Sequence, residues 1–154
     1  MSRPLLHCLV ALLGAGLLTG GCLTPFSEEE LETRLEVAAE PFEALGRRRL
    51  IPIYAETRFI AKALLTEARV NPESPLTTQV SKRLGIAARR KFHVVVGGPY
   101  SDLSDRVLRN AFALHRKQGL AGLTVVYVSN ARPSFELARA ANEARAQLHH
   151  RPLP

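Results

Sequence analysis

The chain has 154 residues, and its 21 lysines and arginines exceed its 14 acidic residues to give a net charge of +7. This length suits one domain of ordinary size. Both cysteines, Cys8 and Cys22, lie near the N-terminus. The body of the chain therefore has no cysteine for a disulfide, a thiolate nucleophile or a cysteine-based metal site.

The N-terminal stretch, MSRPLLHCLVALLGAGLLTGGC, has the three-part layout of a secretory signal. A positive charge at Arg3 precedes an apolar segment from Leu5 to Leu18, and small residues follow at Gly20 and Gly21. The apolar segment has about fourteen residues, whereas a membrane-spanning helix needs roughly 20. We therefore predict a cleaved signal peptide rather than a permanent membrane span.

The stretch Thr19 to Cys22 resembles the lipobox of bacterial lipoproteins, in which the peptidase cuts before a cysteine that carries a lipid. Thr19 departs from the pattern, because that family usually has Leu there. The resemblance implies a lipid such as palmitate on Cys22 and attachment to the membrane of the bacterial cell envelope. Leu23 follows the cysteine in place of Asp, which favours the outer membrane facing the periplasm. The alternative is an ordinary signal peptide cut near Gly21, with the same compartment but no anchor.

Charge is distributed unevenly along the remaining chain. Seven glutamates face Arg34 alone from Leu23 to Ala44, whereas nineteen lysines and arginines face seven acids from Leu45 to Pro154. We interpret the glutamate run as a solvated face, or alternatively as a cover over part of the basic body until a partner displaces it. The predicted parts are a signal peptide (1–21), a lipid anchor with a short tether and an acidic helix (22–46), and a basic α/β domain (47–154).

The acidic segment begins with a helix signal. Ser27 followed by Glu30 matches the S-x-x-E capping box. A narrow apolar stripe at i, i+4 and i+7 follows, made of Leu31, Leu35 and Ala38. Pro41 is expected to break or kink this helix.

The middle of the chain predicts two further helices. We interpret Gly46 to Pro52 as a linker that enters a helix from about Ile53 to Val70. The alternative is that Leu50 to Tyr54, LIPIY, forms a strand instead. A shorter helix opens at the Ser74–Pro75 pair, and Gly85 is placed to end it with a left-handed cap.

The C-terminal half has the clearest pattern. Two runs of β-branched residues, KFHVVVGG and LTVVYVSN, flank a helical segment from Ser101 to Gln118. After the second run, Pro133 is expected to start a long alanine-rich helix that includes Leu148. Strand, helix, strand and helix in this order predict parallel strands with a right-handed crossover. The predicted fold class is α/β, with a β-α-β-α C-terminal unit preceded by two or three helices.

The turn in VVVGGPYSD joins a strand to a helix N-terminus, where backbone N–H groups can bind phosphate. It contains neither G-x-G-x-x-G nor G-x-x-x-x-G-K-[ST], so the glycines suffice merely to turn the chain. The longer stretch HVVVGGPYSDLSDRVLRNAF resembles half of a SPOR domain, a periplasmic module that binds peptidoglycan. In that family a strand ending in V-x-V-G, with an aromatic residue and a serine, leads into a helix. The resemblance covers residues 92–128 and implies peptidoglycan binding.

Candidate catalytic residues have simpler explanations. Asp102 and Asp105 lie near two serines at a helix start, where capping and the helix dipole favour them. The histidines have no partner ligand at a recognisable spacing, and motifs such as H-E-x-x-H and G-x-S-x-G do not occur. The histidines considered are His93, His115, His149 and His150. We therefore predict no enzymatic activity, no cofactor and no metal.

Clustered basic residues are the remaining functional signal. The chain has no recognisable nucleic-acid-binding motif, and export removes that partner, so we predict no nucleic acid. The candidate anion or glycan contacts are Arg89, Arg90, Lys91, Arg106 and Arg109. The predicted function is a structural, assembly or accessory binding factor for a protein partner in the envelope. The alternative is a SPOR-like lipoprotein that binds peptidoglycan or an anionic glycan.

Overall fold

A computed structural model describes residues 26–154. The predicted signal peptide and the predicted lipidation site at Cys22 lie outside the described residues. Within the described range the chain forms a 3₁₀-helix at Glu40–Leu45, four strands and five α-helices. These are α1 (Glu28–Ala39), β1 (Arg48–Pro52), α2 (Arg58–Val70), α3 (Pro75–Arg90), β2 (His93–Gly97), α4 (Ser101–Ala113), β3 (Thr124–Val128), α5 (Phe135–Glu143) and β4 (Gln147–Arg151). The predicted α/β class, with helices followed by alternating strands and helices, is confirmed.

The four strands form one parallel sheet in the order β1-β2-β3-β4. Leu50 pairs with Val95, Val95 with Val126, and Val126 with His149. Because neighbouring strands are parallel, each connection returns from the carboxyl end of one strand to the amino end of the next. We use "carboxyl end" for the side of the sheet where the strands end, and "amino end" for the side where they begin.

The central strands are buried on both faces. Val94 and Val96 of β2 pack in a core with α2, α3, α4 and α5. Val95 faces the other way and packs in a second core with Leu31 and Leu35 of α1. Burial on both faces explains why these strands read as continuous apolar runs rather than alternating patterns.

The start of the acidic segment forms as predicted. The Glu30 N–H donates to the Ser27 hydroxyl oxygen at 3.2 Å, and α1 ends at Ala39 before the 3₁₀-helix that contains Pro41. The predicted apolar stripe is the buried face of α1, while Glu28, Glu29, Glu32 and Glu36 on its outer side are exposed. One face of this segment therefore belongs to the core. The predicted boundary between an anchor segment (22–46) and a basic domain (47–154) stays a prediction.

The predicted linker at Gly46 to Pro52 is wrong, because Arg48–Pro52 forms β1 and pairs with β2. The alternative strand over Leu50 to Tyr54 overlaps β1. Helix α2 starts at Arg58 instead of Ile53, since the Thr57 hydroxyl oxygen caps it by accepting from the Ile60 N–H at 3.2 Å. The arginines that made this stretch resemble a linker are tolerated because β1 lies at the edge of the sheet.

The predicted end of the last helix is wrong too. Helix α5 ends at Glu143, the chain reverses at Arg145 with a φ of 60°, and Leu148 lies in β4. The alanine-rich sequence favours a helix locally, but β3 has a free edge along which Gln147–Arg151 pairs. Tertiary pairing thus overrides local propensity here.

Gly85 does not end α3, which continues to Arg90 and is capped at Lys91 with a φ of 55°. Gly85 lies inside the helix, where an added Cβ would come within 3.2 Å of the His115 ring. Its role is therefore to let α3 approach the segment after α4. The predicted helix start is confirmed, because the Thr77 N–H donates to the Ser74 hydroxyl oxygen.

Candidate functional site

Helices α2, α4 and α5 all begin at the carboxyl end of the sheet, because each follows a parallel strand. The turn between β2 and α4 is tightly packed against its neighbours. An added Cβ would lie 1.8 Å from the Val128 carbonyl oxygen at Gly97, and 2.0 Å from the Ile53 carbonyl oxygen at Gly98. These glycines are therefore required by the close approach of neighbouring chain segments.

A cleft of about 600 Å³ lies between α2 and the start of α4. A second depression of about 290 Å³ continues from it towards the start of α5. The two share four lining residues, and we call them together the arginine-lined cleft. Its basic residues are Arg58, Lys62 and Arg69 of α2, Arg106 and Arg109 of α4, and Arg132 of the β3–α5 connection.

The cleft has an excess of positive charge. Its six cations and three carboxylates leave a formal charge of +3; the carboxylates are Asp102, Asp105 and Glu136. The ion pairs within residues 26–154 lie elsewhere and join Glu30 to Arg34, and Glu143 to Arg116 and Arg139. Within that range, the cations of the cleft are thus not neutralised by ion pairs.

The first turn of α4 adds backbone donors to the cleft. Tyr100 at the N-cap position makes no side-chain cap, and Pro99 to Leu103 line the cleft wall. The first N–H groups of a helix have no partner within the helix, and their positive end of the dipole favours an anion. The cations and the backbone N–H groups at the start of α4 therefore both favour a negatively charged ligand.

Asp105 has a structural role. The backbone N–H and the hydroxyl of Ser134 each donate to one of its carboxylate oxygens at 2.8 Å. The Ser134 oxygen in turn accepts from the Leu137 N–H at 3.1 Å and caps α5. Asp105 thus fixes the start of α5, whereas the sequence predicted that it stabilises the start of its own helix, α4. Asp102 is exposed in the first turn of α4.

Hydroxyl groups hold the end of β3 to the start of α4. The Ser129 hydroxyl donates to the Ser101 hydroxyl oxygen at 2.8 Å, and the Tyr127 hydroxyl donates to the Ser101 carbonyl oxygen at 3.3 Å. Burial raises the pKa of Tyr127 to about 12, so this side chain is a neutral donor at physiological pH. These bonds make the cleft a supported surface.

The structure separates the sequence-predicted contacts into two groups. Arg106 and Arg109 line the cleft, whereas Arg89, Arg90 and Lys91 lie at the end of α3, beside the amino end of β2. Sequence reasoning missed the cations of α2 and the β3–α5 connection. Their signal on α2 is the spacing i, i+4 and i+11, which places Arg58, Lys62 and Arg69 on one helix face.

A serine of α3 and a histidine that follows α4 lie close together. Nε2 of His115 lies 2.9 Å from the Ser81 carbonyl oxygen and 3.0 Å from its hydroxyl oxygen. Because a carbonyl oxygen only accepts, we assign the proton to Nε2. This nitrogen then cannot accept a proton from the serine, so the pair is a structural link between α3 and the end of α4.

The other histidines lie on strands. His93 is buried in β2, and neither ring nitrogen has a hydrogen-bond partner among the described residues. His149 and His150 lie on β4 rather than on a helix; their rings lie 5.5 Å from Phe42 and 6.0 Å from Tyr127. Across residues 26–154, no group of three or more His, Cys, Asp or Glu is placed to hold a metal ion.

None of the helices described between residues 26 and 154 has the length and apolar content needed to cross a bilayer. Comparison with known proteins found no matching family model, no matching curated protein and no matching solved structure. Evidence on function therefore comes from the geometry of the cleft.

Proposed function

We propose that this chain is a non-enzymatic accessory protein of the bacterial envelope, anchored through a lipid on Cys22 in the outer membrane, that binds an anionic ligand in the arginine-lined cleft. The observation that carries the proposal is the convergence of six cations from three segments on one supported cleft. The lipobox-like end of the signal peptide supports the location.

The chemistry of the lining favours carboxylate or phosphate groups. Guanidinium groups bind both through paired hydrogen bonds, and the free N–H groups at the start of α4 favour the same charge. The carboxylate and hydroxyl groups of the cleft are hydrogen-bonded to each other, Asp105 with Ser134 and Ser101 with Ser129. This arrangement supports binding rather than turnover.

Two ligands inferred from the sequence fit this chemistry. The first is an acidic segment of a partner protein in an envelope complex. The second is peptidoglycan, and a specific observation favours it: Tyr100 and Ser101, which belong to the SPOR-like stretch, line the cleft.

The charge-matched variants Arg106→Gln/Arg109→Gln and Arg89→Gln/Arg90→Gln test the proposal. Each pair removes two charges, the first in the cleft and the second at the amino end. We expect the cleft pair alone to weaken co-sedimentation with purified sacculi, or recovery of a crosslinked partner protein. Equal losses in both variants would mean that net charge, not the cleft, governs binding.

The lipid anchor has its own test. Cys22→Ala should abolish labelling by a fatty-acid probe and either stop processing or release the protein from membranes. Unchanged labelling in this variant would refute the anchor without affecting the cleft.

A further inference from the structure

The proposed anchor enters the domain at the carboxyl end of the sheet. Glu28 and Glu32, in the first two turns of α1, line a depression together with Pro52 and Tyr54, which lie at and beyond the carboxyl end of β1. Leu23 to Phe26 lie between Cys22 and the residues that start α1, and four residues reach at most about 14 Å. A lipid on Cys22 therefore holds the carboxyl end close to the bilayer.

The opposite end of the domain is turned away from this attachment point. The 3₁₀-helix that follows α1 ends at Leu45, which lines a depression with His93 and Thr124 at the starts of β2 and β3. Helix α1 thus runs from the carboxyl end to the amino end. Only the carboxyl end is within short reach of the tether.

Two aromatic side chains are exposed at the carboxyl end. Phe59 in the first turn of α2 is 77% exposed, and Phe135 at the start of α5 is 76% exposed. Their chain neighbours Arg58, Ser134 and Glu136 line the cleft. Phe59 is next to the cation Arg58, whereas Phe135 is next to Glu136 and three positions after Arg132. Exposed aromatic side chains near cations are typical of surfaces that lie in a membrane interface.

The attachment point, the two exposed phenylalanines and the arginine-lined cleft all lie at the carboxyl end of the sheet. We propose that the carboxyl end of the domain lies on the bilayer, with Phe59 and Phe135 in the interface and the arginine-lined cleft on the phosphate groups of anionic phospholipids. The inference rests on the proposed anchor at Cys22, and it assigns lipid phosphate to the cleft in place of the acidic protein segment or peptidoglycan inferred from the sequence.

The glutamates of α1 determine the tilt of the domain. Glu28, Glu29 and Glu30 also start near the carboxyl end, but α1 covers the sheet face opposite to α2, α4 and α5. An anionic surface repels these glutamates and attracts the cations across the sheet. The domain therefore leans so that the starts of α2 and α5, rather than the start of α1, come closest to the lipid.

An acidic protein or a glycan explains less of this arrangement. Either could neutralise the cations wherever the cleft points. Neither requires the cations, the two exposed phenylalanines and the attachment point to lie at one end of the sheet.

The test uses the mature lipidated protein in nanodiscs of phosphatidylcholine with or without phosphatidylglycerol. Because Cys22 carries the lipid, a cysteine introduced elsewhere can be labelled selectively with a fluorophore. Asn130→Cys places the label at the carboxyl end but outside the residues that line the cleft, and Ala121→Cys places it in the exposed loop at the amino end. Nitroxide groups on the lipid headgroups should quench the label at 130 and not the label at 121.

Two variants connect the quenching to its cause. Arg106→Gln/Arg109→Gln and Phe59→Ser/Phe135→Ser should each reduce quenching at 130, whereas Arg89→Gln/Arg90→Gln should not. The quenching should also fall without phosphatidylglycerol and at high salt. The Phe59→Ser/Phe135→Ser variant should remain folded, because both phenylalanines are exposed.

Several outcomes would overturn the inference. Equal quenching at both positions, or quenching at 130 that is the same without phosphatidylglycerol, would mean that the carboxyl end does not bind the lipid phosphates. If the cleft variant then still lost binding to sacculi or to a protein partner, the proposed function would stand without the membrane contact. A Cys22 without fatty acid would remove the anchor and this inference together.

Discussion

The two ends of the sheet show how differently a basic surface can arise. At the amino end, Arg89, Arg90 and Lys91 are consecutive in the sequence and form the end of α3. At the carboxyl end, the cations come from α2, α4 and the β3–α5 connection, more than seventy positions apart along the chain from Arg58 to Arg132. A run of basic residues in sequence is therefore a poor guide to where cations converge in space.

The surroundings of the two groups differ as well. Arg89 and Arg90 lie in the last turn of α3, where the negative end of the helix dipole favours cations. That position gives them a structural explanation. Arg106 and Arg109 lie in the second and third turns of α4, where the helix dipole does not explain them, and they line the arginine-lined cleft. The carboxyl end thus has the stronger case for a ligand.

The largest expected difference between the two ends is in stability, when one glycine at each end is replaced by alanine. At the carboxyl end, Gly97→Ala would bring a Cβ within 1.8 Å of the Val128 backbone, so we expect a loss of about 3 kcal/mol or more in the free energy of unfolding. Gly122 at the amino end has nothing within 4 Å but a φ of +79°, and its alanine variant should lose only about 1 kcal/mol. Urea unfolding of both variants measures the difference, and equal losses would contradict the packing described at the carboxyl end.

A smaller effect is expected from the carboxylate that shapes the cleft. Asp105→Ala leaves the Ser134 N–H without its acceptor, which should lower the free energy of unfolding by about 1 to 3 kcal/mol. Asp102→Ala on the same helix is the control, because exposed substitutions usually change stability by less than about 0.5 kcal/mol. If Asp105→Ala behaved like Asp102→Ala in thermal unfolding, the start of α5 would not depend on this carboxylate.

The α/β class and the crossover between β2 and β3 were predictable because β-branched runs, glycines and helix caps agree there. Strand β1 was predicted only as the alternative over Leu50 to Tyr54, and β4 was wrongly predicted as part of a helix, both for a physical reason. Each lies at an edge of the sheet, where half-exposed positions admit residues such as Arg48 and His149 that no apolar pattern marks.

The candidate site was predictable only in part. Arg106 and Arg109 could be identified from the α4 segment alone. Their association with Arg58 and Arg132 depends on how α2 and α5 pack against α4, which one sequence without structure does not give.

The smallest expected effect is a pH dependence of stability that arises at the amino end and leaves binding at the carboxyl end unchanged. Burial, and then the charge of Arg48, lower the pKa of His93 at the amino end below its ordinary value of 6.5. Because the unfolded chain binds this proton more readily than the folded one, stability is full above about pH 6.5 and falls below it, by at most about 1.4 kcal/mol per pH unit for one proton. Unfolding by urea at a series of pH values should show this loss of stability at low pH. His93→Leu should reduce the loss, whereas His149→Leu, at an exposed position, should not.

Binding at the carboxyl end should be the same for His93→Leu and the unaltered chain, since the cleft contains no histidine among its described lining residues. A loss of ligand binding in His93→Leu, at a pH where the variant is folded, would show that the two ends are coupled through the sheet.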